Sequence, residues 1–87
     1  MKFQHYDLGH CKRGQVVEVT LRGSAANVCL MDDSNFYAYR SGRRYNYYGG
    51  HYQQSPVRLT CPSDGQWNVT IDLGGYAGNV QSSVRVI

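Results

Sequence analysis

Residue types suited to recognition gather between Phe36 and Tyr52. This stretch holds Tyr37, Tyr39, Tyr45, Tyr47, Tyr48 and Tyr52, six of the eight tyrosines, with Arg40, Arg43, Arg44 and His51 among them. Tyrosine offers a rigid apolar ring with a polar tip, and arginine a planar fork that fits phosphate or carboxylate. Together they could stack on a base, a sugar or a peptide side chain. Strands also favour tyrosine, and large rings can seal the ends of a small core, so a purely structural account of the same rings stands beside the functional one. The candidate binding residues are Arg43, Arg44, Tyr45, Tyr47 and His51, with Tyr76 at the tip of the loop Gly74-Gly75-Tyr76-Ala77-Gly78-Asn79.

Other chemistry finds less support. His5 and Asp7 would share a face of a strand, but His10-Cys11 is expected in the following turn and no structural-zinc spacing appears, so no metal site is assigned. Nucleophilic catalysis needs a nucleophile, a base and an orienting group held together. Cys11 or Cys61 with His51 and Asp72 are candidates on paper, yet no G-x-S-x-G or related signature surrounds them, and no catalytic residue is assigned. Cys29 and Cys61 read as small strand residues. The glycine loop is not G-x-G-x-x-G and no helix follows it, which makes a turn with positive φ angles the better account and leaves no cofactor motif.

The elements that must position these residues are strands. Val17, Val19 and Leu21 alternate with Glu18, Thr20 and Arg22; Trp67, Val69, Ile71 and Leu73 alternate with Gln66, Asn68, Thr70 and Asp72. Val57, Leu59 and Cys61, then Val28 and Leu30, then Val80, Val84 and Val86 follow the same rule. Period-two alternation puts one apolar and one wet face on each segment, the pattern of antiparallel sheets. With almost no amphipathic helix to cover them, the apolar stripes must pack on one another. The expectation is an all-β single domain over residues 1–87, a small antiparallel two-layer sandwich or flattened barrel.

One short helix breaks the pattern near residues 34–41, crossing between sheets, capped by Asp32 and Asp33 and ended by Gly42. A strand is expected over Tyr45–Tyr48, with Arg43 and Arg44 at the turn before it. Gly74–Asn79 is expected to be a hairpin loop.

Bulk composition bounds the rest. The 87 residues carry a net charge of +3, low for a dedicated nucleic-acid protein. The three cysteines are an odd number without C-x-x-C spacing, so reduced thiols in a cytoplasmic protein are expected. Lys2, Asp7, Lys12 and Arg13 leave no apolar run for a signal peptide, and no segment reaches the length of a membrane span. Asn68-Val69-Thr70 matches a glycosylation sequon but reads as part of a strand.

The blocks "HYDLGH" (5–10), "GQVVEVTL" (14–21), "AANVCLMDDSNF" (25–36), "YRSGRRYNYYGGH" (39–51), "SPVRL" (55–59) and "DLGGYAGNVQSSVRV" (72–86) occur in that order. In this the chain resembles a family of small bacterial domains of unknown function, about its own length, of which related domains also occur joined to Toll/interleukin-receptor-like (TIR) domains. The resemblance implies a compact, β-rich intracellular protein and carries no activity onto particular residues. The expected function is non-enzymatic: recognition or sensing of a small ligand or protein partner through the Arg/Tyr-rich face. Weak single-stranded nucleic-acid binding is the alternative, and an enzyme using His51 comes third. No membrane partner is expected, and a homodimer would add stability to so small a core.

Overall fold

Each apolar stripe needs a facing stripe, and the chain supplies them in two layers. The computed structural model describes residues 2–87. The elements are β1 (Gln4–Cys11), β2 (Val16–Gly23), β3 (Ala26–Asp32), α1 (Asp33–Arg40), β4 (Tyr48–Tyr52), β5 (Val57–Thr60), β6 (Gly65–Asp72) and β7 (Val80–Val86). Four strands form one antiparallel sheet in the order β1-β6-β3-β4, and three form a second in the order β5-β2-β7. The fold is therefore a small β sandwich and not a closed barrel. Between the sheets lie Val17, Val19, Val28, Leu30, Trp67, Val69 and Ile71, all buried, while Leu21, Leu59 and Val84 pack at the margin only partly covered. Each well-buried side chain of this kind contributes roughly 1.5–3 kcal/mol.

The helix forms where the capping residues direct it. The Asp32 side chain accepts the Asn35 backbone N–H at 2.9 Å, satisfying one of the orphan donors of the first turn. At the other end Gly42, at φ +74°, donates to Tyr39 O at 3.2 Å, and Arg43 N donates to Ala38 O at 2.8 Å. This is the double closure that a left-handed residue after a helix permits. The helix joins β3 to β4, neighbours in one sheet, so it does not cross between sheets as the sequence suggests. It lies on the outer face of the four-stranded sheet, burying Phe36 and Tyr39 with Cys29 and Met31 beside Phe3 and Tyr45.

That cover corrects the expected wet face of β6. Asn68, Thr70 and Asp72 are buried, on the strand whose alternate residues Trp67, Val69 and Ile71 face the sandwich core. Buried polar groups need partners. Asn68 Oδ1 bonds His5 Nε2 at 2.8 Å while its Nδ2 donates to Asp33 at 2.8 Å, and the His5 ring stacks on Phe36 at 3.9 Å. Thr70 Oγ1 is the one buried side-chain polar atom among the described residues that has no partner.

Three further expectations change. Strand β1 continues through His10 to Cys11, with its register shifting between Asp7 and Gly9, where Gly9 N–H donates to Asp7 Oδ1 at 2.9 Å. The Gly74–Asn79 segment is not a hairpin loop, because β6 and β7 belong to different sheets. Glu18 is buried although it stands on the outer face of the second sheet, because Arg58 and Arg85 from the two flanking strands close over it at 3.0 and 2.7 Å. The hydrogen bond from Arg85 is the chief reason its carboxyl is held below the ordinary range, with Arg58 adding to it and partial desolvation opposing.

The open side between β1 and β7 is bridged by side chains in place of a ladder. Gln4 Nε2 donates to Val80 O and Tyr6 O–H to Ser82 O, each at 2.9 Å. No helix among the described residues is long and apolar enough to cross a membrane.

Candidate functional site

Beyond α1 the chain turns back along the helix before entering β4. Asn46 N–H donates to Asn35 Oδ1 at 2.8 Å, which pins the returning segment beside the start of the helix. The strand expected over Tyr45–Tyr48 therefore begins only at Tyr48, and Tyr45 and Tyr47 stand on this irregular return. Tyr45 is partly buried with its ring edge-on to Tyr39 at 5.0 Å, and Tyr47 lies 5.6 Å from Tyr45 and is 46% exposed. Tyr48, on the strand, turns the other way and meets Trp67 at 6.2 Å.

β4 can lie close against β3 because Gly49 carries no side chain. A Cβ at Gly49, where φ is +135°, would sit 2.0 Å from Val28 O. The register then sets His51 opposite Asn27 on β4 and β3, and Asn27 opposite Asp72 on β3 and β6. His51, Asn27 and Asp72 thus form one row across three strands.

Around this row opens a cleft of about 370 Å³ lined by Tyr45, Tyr47, His51, Asn27, Cys29 and Asp72, with the backbone of Gly50 and Gly74. Its floor is a connected network. Asp72 Oδ1 accepts from Asn27 Nδ2 at 2.9 Å and from Gly74 N–H at 2.8 Å, and its Oδ2 accepts from the Tyr39 hydroxyl at 2.8 Å. Asn27 Oδ1 in turn meets His51 Nδ1 at 3.2 Å. Burial, with Asp72 adding to it, pushes the Tyr39 phenol far above its ordinary range, so it stays a donor. Burial likewise raises the Cys29 thiol to about 11, again with Asp72 adding, which leaves it a neutral and weak nucleophile.

Of the six residues picked from sequence, Tyr45, Tyr47 and His51 come together here. Tyr76, 82% exposed, lines a neighbouring groove of about 580 Å³ that shares Asp72 and Gly74 with the cleft. Arg43 and Arg44 line neither; they stand exposed at the turn closing α1. The triad suggested by residue type is not assembled, because Cys11 and Cys61 are buried in the sandwich core while His51 and Asp72 line the cleft. Among the described residues no three His, Cys, Asp or Glu side chains gather as a metal ion requires. Sequence reasoning missed Asn27, the part of Gly74 and the position of Asp72 in this cleft.

The arginines form a second feature. Each of the six carboxylates accepts a hydrogen bond from within the chain. Among the described residues only Arg58 and Arg85 pair with one, both through Glu18. Among the described residues the other cations form no ion pair, and Arg40, Arg43 and Arg44 fall together at the C-terminal end of α1. The Arg40 guanidinium stacks on Tyr37 at 5.0 Å and on Phe36 at 5.4 Å.

A family model described as a domain of unknown function (DUF1883) matches residues 1–87, and the chain belongs to that family. No curated protein and no solved structure matches it.

Proposed function

We propose that this member of the DUF1883 family is a non-enzymatic recognition module that binds an acidic segment of another polypeptide through Arg40, Arg43 and Arg44. The observation carrying the reading is the uneven use of charge: every carboxylate is engaged inside the chain, while these three neighbouring arginines are left without one. Hydrated arginines at a turn add little to folding. An arginine already laid on an aromatic ring has its fork ordered, and its edge remains available to a carboxylate.

The same geometry disfavours single-stranded nucleic acid. Such binding needs free aromatic faces on which bases stack. Here Tyr37 is already stacked against Arg40, and the exposed rings of Tyr47 and Tyr76 line the cleft and the groove, which Arg43 and Arg44 do not line.

The test is fluorescence anisotropy with a labelled oligoglutamate peptide, alongside oligothymidylate of equal charge. Arg43→Glu with Arg44→Glu should weaken peptide binding more than tenfold and leave the melting temperature nearly unchanged. Arg22→Glu, an exposed cation on the other sheet, should weaken it less than twofold. Unfolding of the double variant would make the arginines structural. Equal loss at Arg22 would reduce the effect to a general field, and tighter binding of oligothymidylate would replace the polypeptide reading with the nucleic-acid one.

A further inference from the structure

The cleft around His51, Asn27 and Asp72 has a hydrogen-bond polarity that can be read outward from its floor. A carboxylate only accepts. Asp72 therefore takes the N–H of Asn27 at 2.9 Å, which commits the amide nitrogen of Asn27 inward and leaves its carbonyl oxygen for the next strand. That oxygen also only accepts, and the atom facing it is His51 Nδ1 at 3.2 Å. In neutral His51 the proton then sits on Nδ1, and Nε2 carries a bare lone pair. A buried carboxylate thus sets the polarity of an exposed ring two strands away.

Charge narrows what can meet that lone pair. No lysine or arginine lines the cleft, so nothing there rewards an anion. Its one carboxylate is 6% exposed and already holds three donors, so little remains for a cation. The ligand is therefore neutral and brings a hydroxyl or N–H donor to Nε2. The hydroxyls of Tyr45 and Tyr47 take no part in the floor network and can give or receive a hydrogen bond, as a polyol's own hydroxyls can. The half-exposed Tyr47 ring offers a flat apolar face to C–H groups. A volume of about 370 Å³ lies at the small end of ligand sites.

We propose that the cleft binds a small neutral polyol of about monosaccharide size, with a ligand hydroxyl donating to His51 Nε2 and its C–H face resting on Tyr47. The site uses residues distinct from the arginine cluster, so either reading can fail without the other.

Two measurements test it on the whole chain. Long-range proton–nitrogen spectra of the His51 ring should show the Nδ1–H tautomer, and Asn27→Ala should return the ring toward the ordinary Nε2–H form. An Nε2–H ring in the unsubstituted protein overturns the proposal. Titration with a panel of neutral monosaccharides and inositols should give, for at least one of them, saturable amide shifts at Gly50, His51 and Gly74. His51→Phe should weaken that binding at least tenfold with the melting temperature preserved, since the ring is exposed. Absence of saturable shifts with the whole panel, retained binding in His51→Phe, or tighter binding of tetramethylammonium or inorganic phosphate would each overturn it.

Discussion

Replacing Tyr39 by phenylalanine isolates one contact of the cleft floor. The ring stays, so its edge-on contacts with Phe3 and Tyr45, both at 5.0 Å, are kept and no cavity opens. What disappears is the hydroxyl donated to Asp72 Oδ2 at 2.8 Å, between groups only 3% and 6% exposed. A hydrogen bond to a charged group contributes roughly 1.5–3 kcal/mol, and removing one partner leaves the other buried and short of a donor. Asp72 retains two donors on its other oxygen, so the loss should fall near the middle of that range, about 2 kcal/mol. Against a total of roughly 4–13 kcal/mol for a chain this size, the variant stays folded.

Urea denaturation should show the midpoint falling with the slope unchanged. Asp72→Asn should cost a similar amount, and the double variant should cost less than the sum by at least about 1 kcal/mol, the coupling expected of directly bonded groups. A loss below about 0.5 kcal/mol for Tyr39→Phe, or strict additivity with Asp72→Asn, would refute the claim that the phenol holds the carboxylate.

The other predictions concern the core, an orphan hydroxyl and the two pH limbs. Trp67→Ala should cost roughly 3–5 kcal/mol or unfold the domain, since it empties a core site and frees Ser63 O from the indole N–H at 2.9 Å; a change under about 1 kcal/mol in the same urea assay would count against its burial. Thr70→Val keeps the shape and removes a buried hydroxyl that has no well-aligned partner but lies against the Cys29 thiol and the Tyr39 phenol, so stability should change by less than about 1 kcal/mol; a larger loss would show that one of those contacts is a true hydrogen bond. Burial raises the thiols of Cys29 and Cys61 to about 11, so the folded state keeps protons that the unfolded state releases from about pH 8.5, and stability should fall as pH climbs from there toward 11. Glu18 runs the opposite way: its lowered carboxyl contributes fully above the ordinary carboxylate range and is lost on acidification, so Glu18→Gln should flatten the acid limb of a stability–pH curve.

The sandwich was legible because period-two alternation names the apolar face of each strand without knowing its neighbours. The same alternation misled at β6. It reports that Asn68, Thr70 and Asp72 are polar, and polarity usually means water. What it cannot report is an eight-residue helix, α1, laid over that face, because the helix is local in sequence while the face it covers is built from β3 and β6. Asp72 and Asn68 remain polar because they are fully bonded there, and Thr70 is the exception that shows the bonding is not automatic.

The site divides along the same line. Tyr45, Tyr47 and His51 were visible because they lie within a few residues of one another, and adjacency in sequence kept them adjacent in space. Adjacency failed for Arg43 and Arg44, because the left-handed Gly42 closes the helix with a sharp turn, leaving the two arginines outside the cleft that the next residue enters. Asn27 and Asp72 could not be found from spacing at all. They meet His51 through two antiparallel registers, Asn27 with His51 and Asn27 with Asp72, and a one-residue slip in either would turn the row to the opposite face. Gly74 secures the end of that row: at φ +65° its N–H reaches Asp72, and an added Cβ would press on Asn27 Nδ2 at 3.2 Å. The polarity of His51 therefore depends on a glycine in the crossover between the two sheets, which gives the loop that sequence reasoning valued only for Tyr76 a structural part in the cleft.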